Sequence, residues 1–178
     1  MRRSVVALLI VVLGLVMAAC SDDGDGDDNG ADNGAGETTS AGPDANAILI
    51  AAGEQAEAQA ISAVTQMTTY NYRTLAKDFE WVDKLGTEDF QKNYQGASKQ
   101  VRQVIKQLQA TATGTVVDSA PKVLSPTEVR VLLFVDQRIR AKGEDGVRLD
   151  QPRVAMTMVQ QDGKWLVDSV VIDELVAQ

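Results

Sequence analysis

The chain is predicted to fold as an α+β domain, helices first and an antiparallel sheet afterward, and three observations carry that reading. Apolar residues recur at helical spacing from Ala45 to about Ala110. Beyond Ala110 the period changes to two, as in strands with one buried face. Finally, Asp162-Gly163 sits between two apolar runs, and that dipeptide is a strong short-range hairpin signal.

The first predicted element runs from Ala45 to about Thr69. It is rich in Ala, Glu and Gln, and Leu49, Ala52, Ala56, Ala60, Ala63 and Met67 fall on one face. Asp44 after Pro43 is positioned to cap it. Gly53 weakens the helix by about 1 kcal/mol, so frayed first two turns are the alternative to one continuous helix. A short helix over Leu75 to Lys84 follows the Tyr70-Asn71-Tyr72 corner and stops at Gly86. Thr87 then caps a second long helix whose apolar stripe is Phe90, Tyr94, Ala97, Val101, Val104, Ile105 and Leu108. Its opposite face carries Lys92, Lys99, Arg102 and Lys106, a pattern typical of a solvated surface.

Four strands are predicted: Thr111 to Ser119, Val129 to Asp136, Val154 to Val159, and Trp165 to Ile172. Both faces of Val129 to Val135 are apolar, which predicts a central strand covered on both sides.

Ahead of this domain lie two segments of different composition. Met1-Arg2-Arg3 and the apolar run Val5 to Met17, interrupted by Gly14 alone, have the layout of a signal peptide over residues 1–19. About thirteen apolar residues reach roughly 20 Å as a helix, short of the ~30 Å hydrocarbon core. The next residues, Val16-Met17-Ala18-Ala19-Cys20-Ser21, resemble the lipobox of bacterial lipoproteins. That resemblance implies cleavage between Ala19 and Cys20, and a diacylglycerol on the Cys20 thiol that holds the protein on the outer face of the cell membrane. Met17 stands where Leu is usual. The alternative is an ordinary secreted protein left with a free thiol, but the only cysteine of the chain falls on this site. More than one acyl chain is needed for stable anchoring, each buried methylene contributing about 0.8 kcal/mol. Ser4-Val5-Val6 lacks the continuation expected of a twin-arginine signal, which favours general secretion.

Residues 20–44 read as the lipidated cysteine and an acidic, disordered tether. Eight acids and no Lys or Arg lie between Ser21 and Asp44, so the tract has almost nothing to bury. Some 24 residues of this kind reach about 25 to 30 Å, and their charge is repelled by anionic headgroups. Asp25-x-Asp27-x-Asn29-Gly30 matches half of a calcium loop, but its twelfth position is Gly36, so no metal is assigned.

With the tract set aside, the formal charge of −8 nearly vanishes: residues 45–178 hold 17 acids against 15 bases. There is no basic footprint for nucleic acid. Histidine is absent and cysteine occurs once, which excludes Ser-His-Asp and Cys-His catalysis and zinc sites of His/Cys type. No cofactor is implied.

Within the domain, Thr68-Thr69-Tyr70-Asn71-Tyr72-Arg73-Thr74-Leu75, Val131-Leu132-Leu133-Phe134-Val135-Asp136-Gln137, Val154-Ala155-Met156-Thr157-Met158-Val159 and Asp162-Gly163-Lys164-Trp165-Leu166-Val167 together resemble the mammalian-cell-entry (Mce)-associated proteins of actinobacteria. The resemblance covers residues 45–178. It implies a nuclear-transport-factor-2-like cone, with helices packed into the concave side of a bent antiparallel sheet of about four strands. It also implies a non-catalytic accessory role beside Mce or permease subunits of a lipid or sterol importer. Members usually carry a transmembrane helix before the domain, whereas this chain has a lipobox and tether.

Two other functions compete with that expectation. An apolar-ligand-binding lipoprotein would line a pocket with Trp81, Phe134, Met156 and Met158, holding a lipid in the cone. A cone-fold isomerase or dehydratase would need an acid and a base, for which Tyr70, Tyr72, Asp136 and Asp168 are the candidates. Residues of these types at these spacings are more commonly core packing and surface pairing, so no catalytic residue is assigned.

Overall fold

A computed structural model describes residues 44–173. The signal peptide, the Ala19–Cys20 cleavage site, lipidation at Cys20, the acidic tether and the half calcium loop all lie outside the described residues.

The first helix, α1 (Ala45–Thr68), is capped by Asp44, whose carboxylate accepts from the Asn46 backbone N–H at 3.2 Å. The alanines predicted to face the core do so: Ala52, Ala56, Ala60 and Ala63 are buried. Leu49, expected on the same face, is exposed, because the helix enters the core only from Ala52 onward.

The predicted helix over Leu75 to Lys84 is two short helices, α2 (Leu75–Asp78) and α3 (Trp81–Leu85), after a two-residue strand β1 (Tyr70–Asn71). The break lets Leu75 and Phe79 face one core cluster while Trp81 and Val82 enter another. Gly86 ends α3, and Thr87 caps α4 (Glu88–Gln107) by accepting the Phe90 N–H at 3.2 Å. Of the expected α4 stripe, Phe90 and Ile105 are buried and Tyr94, Val101 and Leu108 half-buried.

The remaining elements are β2 (Thr111–Ser125), β3 (Glu128–Arg140), β4 (Arg148–Asp150), β5 (Arg153–Gln161) and β6 (Lys164–Asp173). Among the described residues the sheet therefore has six strands rather than about four, in the order β1-β2-β3-β5-β6 with β4 beside the far half of β3. The two extra strands are two and three residues long, too short for a period to show. Each of these strand pairs is antiparallel, and an isolated parallel bridge joins Gly86 to Val167 of β6. Register shifts at Val116/Asp118, Val123/Ser125 and Thr157/Met158 add local twist and bend the sheet around α1. The β5–β6 turn is built on Asp162 and Gly163, both at positive φ (50° and 74°), as a two-residue hairpin of the tightest kind requires.

Strand β3 is central, but only one of its faces is covered. Val129, Val131, Leu133 and Val135 are buried against α1, whereas the alternating face presents Arg130, Leu132, Phe134 and Asp136 outward, Leu132 with 38% of its surface in water. Helices on the concave side and solvent on the convex side make the cone one-sided, as an α+β arrangement of this kind demands.

Candidate functional site

The interior of the cone is where the sequence places most of its candidate residues. Four aromatic rings meet there. Trp81 lies 5.9 Å from Phe90 and edge-on to Tyr94 at 5.3 Å, Phe90 lies 5.3 Å from Tyr94, and Phe79 joins from α2's end at 6.4 Å from Tyr94. Centroid separations of this size are those of favourable aromatic pairs. On the sheet side, Met156 and Met158 point inward from β5 into the same cluster as Trp81, with Val131, Leu133 and Val167 around them. All three of Trp81, Met156 and Met158 are essentially inaccessible to water.

Phe134, the fourth apolar candidate, is elsewhere. It follows Leu133 on β3, so its ring emerges on the convex face, where the Arg153 guanidinium lies 5.9 Å from the ring centroid. One residue of offset along a strand moves a side chain across the sheet. The structure thus brings Trp81, Met156 and Met158 together and leaves Phe134 apart.

The polar candidates are likewise dispersed. Asp136 lies on the convex face and accepts from Gln151 Nε2 at 2.8 Å. Asp168 occupies the irregularity of β6, where the Thr87 hydroxyl donates to its carboxylate at 3.4 Å. Thr157, beside that irregularity, pairs with Arg130, about six residues along β3 from Asp136, or roughly 20 Å. The two carboxylates cannot share one substrate atom. Tyr70 and Tyr72 pack in a second core cluster with Leu75, Phe79, Ile105 and Ala110, and Arg73 lies over the Tyr72 ring at 4.7 Å.

Burial pushes the Tyr70 phenol up to about 12, against a smaller opposing pull from Arg148; that arginine is paired bidentately to Asp150 at 2.9 and 3.0 Å. Burial also pushes Tyr94 up to about 12, outweighing the neighbouring Arg102 charge. A phenol in that range keeps its proton at neutral pH and serves as a hydrogen-bond donor rather than a base.

Arg102 was legible only as part of a solvated basic face. Instead its guanidinium stacks on the Phe79 ring at 4.4 Å, half-buried, with its Nε shielded from water and unpartnered. Of the two rings beside it, Tyr94 belongs to the apolar stripe that the spacing of α4 shows, whereas Phe79, at the end of α2, carries no spacing signal of its own. Among the described residues, no group of three His, Cys, Asp or Glu side chains could hold a metal ion, and no helix is long and apolar enough to cross a membrane.

No family model matches the chain. Two uncharacterised proteins, from two strains of Mycobacterium tuberculosis, are each 30% identical to it over 117 residues, 65% of this chain and 53% of theirs. The chain spans about half the length of these relatives. Among solved structures, similar folds occur in an IcmL-like type IV secretion system protein of Legionella pneumophila, with 14% identity, TM-score 0.58 and coverage of 70% of this chain and 94% of that one. CagV of Helicobacter pylori, a VirB8 homologue, gives 14%, 0.55, 68% and 98%, and VirB8 of Agrobacterium tumefaciens 12%, 0.55, 72% and 96%. At such identities the likeness is one of fold: an α+β cone of helices on a curved antiparallel sheet, as the order of helices and strands predicts and as the family resemblance implied in its nuclear-transport-factor-2-like form.

Proposed function

We propose that this chain is a lipid-anchored, non-catalytic envelope protein that acts by binding other proteins, as an accessory or stabilising subunit of an Mce-type lipid or sterol import system. The observation that carries the reading is the filled interior. Trp81, Met156 and Met158, the side chains best suited to line an apolar pocket, are spent on packing against one another and against the alanine face of α1. A domain whose interior is closed in this way presents its outer surfaces for recognition.

Three further observations support it. The solved neighbours named above include an IcmL-like type IV secretion system protein and a VirB8 homologue of such a system, and a role beside other proteins is in keeping with that use of the fold. The four segments from Thr68 to Val167 resemble Mce-associated proteins. Cys20 follows an apolar leader at a lipobox-like site, which would hold the domain on the outer face of the cell membrane.

Affinity purification from crosslinked membranes tests the partner assignment: Mce or permease subunits should co-purify under stringent washing, and their absence would overturn it. The anchor is tested separately by Cys20→Ala. The unaltered protein should fractionate with membranes at the mass of a cleaved, acylated chain, and the variant should lose that modification and remain at its unprocessed mass.

A further inference from the structure

One end of the cone has a composition that water does not explain. The first nine residues of α1, Ala45 to Gly53, carry no charge, and the helix is exposed from Ala45 through Ile50. Ile48, Leu49 and Ile50 have 41%, 37% and 61% of their surface accessible, and Leu124, close by on β2, has 50%. The contacts fix where this apolar group sits. Gly53 backs so closely on Val123 that an added Cβ would lie 3.1 Å from its Cγ2, and Leu124 follows directly before the β2–β3 turn. The Asp162-Gly163 turn lies at the same end, since Gln160 N–H donates to Thr127 O at 2.8 Å. The two hairpin tips and the first turns of α1 therefore form one face of the molecule.

We propose that this face is a bilayer-contact surface, inserted into the membrane that carries the anchor. Three consecutive large residues on a helix, at about 100° per residue, spread over roughly 200° of its circumference. No flat protein surface packed on one side could bury all three, whereas a surrounding apolar medium does. The length agrees: Ala45 to Ile50 extends about 9 Å, enough to lie in the interface and far short of a span. The position agrees as well, because this is the end from which the chain leads back, through about 24 residues, to Cys20. Lys122, Arg130 and Lys164 are outnumbered there by Asp44, which caps α1, and by Glu54, Glu128 and Asp162, so attraction is apolar rather than electrostatic and the Asp44 carboxylate stays at the headgroup level. Repulsion of the acidic tract makes zwitterionic lipid the better target than anionic lipid.

The inference rests on the lipid-anchor reading, and one experiment separates the two. Full-length acylated protein is reconstituted on phosphatidylcholine vesicles with an environment-sensitive thiol probe at Ile50→Cys or, as reference, at Lys106→Cys near the opposite end. The Ile50 probe should be quenched by brominated lipid several-fold more than the Lys106 probe, with little dependence on salt, and Ile48→Ser should reduce that difference. Equal quenching of the two probes on vesicle-bound protein would sink the inference while leaving the anchor intact. So would an Ile50 probe shielded from water but not quenched, since a second copy or another protein would then cover the face. Protein that fails to float with vesicles overturns both.

Discussion

Gly114 of β2 lies directly against the Thr68 side chain at the end of α1, with no room for a methyl group between them. The same junction is fastened by Gln137, whose buried Nε2 donates to the Thr68 carbonyl at 2.8 Å, and by the Gly114 N–H, which donates to the Thr69 hydroxyl at 3.1 Å. Gly114→Ala must therefore push α1 off the sheet. It should lower stability by about 1–3 kcal/mol, the usual cost of overpacking, read as a lower urea midpoint with an unchanged slope. A wild-type midpoint would show that the junction is slacker than described.

Removing the cap of α4 is expected to cost less. Thr87→Ala loses the bond to the Phe90 N–H and should destabilise the fold by about 1 kcal/mol, whereas Thr87→Ser retains the acceptor and should cost a few tenths. Thermal denaturation of the two variants side by side provides the check.

The interior offers a test of packing against pocket lining. Trp81→Ala should cost about 3–5 kcal/mol and Met156→Ala about 2–5, because each empties a closed, apolar space. If both variants keep nearly full stability, the space around them is already open, and a bound apolar ligand becomes the better account of the cone.

Alkaline pH should expose the two buried phenols. Tyr70 and Tyr94 titrate near 12 in the folded chain but near 10 when unfolded, so the folded state holds more protons between those values. Their contribution to stability is complete below about pH 10 and is lost as the pH rises towards 12. Absorbance titration at the phenolate band should show Tyr70→Phe and Tyr94→Phe each removing a late-ionising group. If neither variant alters the late part of the curve, the burial assigned to these phenols is wrong.

Much of this architecture was legible in the chain itself. The alanine spacing of α1, the threonine cap of α4 and the Asp162-Gly163 turn are local signals, and each appears where expected. What escaped was set by tertiary contact. Tyr70–Asn71 and Arg148–Asp150 are strands only because β2 and β3 lie beside them. Leu132 and Phe134 made β3 look covered on both faces, yet nothing in their spacing tells a buried apolar residue from one that faces water. Arg102 shows the same blindness in reverse: a cation at a surface period folds down onto Phe79. For the candidate residues, the sequence grouped Trp81, Phe134, Met156 and Met158 as pocket lining, of which all but Phe134 meet in one packed cluster, and it offered no means of foreseeing that Asp136 and Asp168 end on distant parts of the sheet.

The small side chains of Ala52, Ala56, Ala60 and Ala63 allow the α1 backbone to ride low over β2, β3, β5 and β6. Depth in such a cone is tuned by the thickness of that one helical face. A relative with leucines at these positions would lift the helix and open a hollow beneath it, so the same scaffold could be converted from a solid wedge into a vessel without altering a single strand.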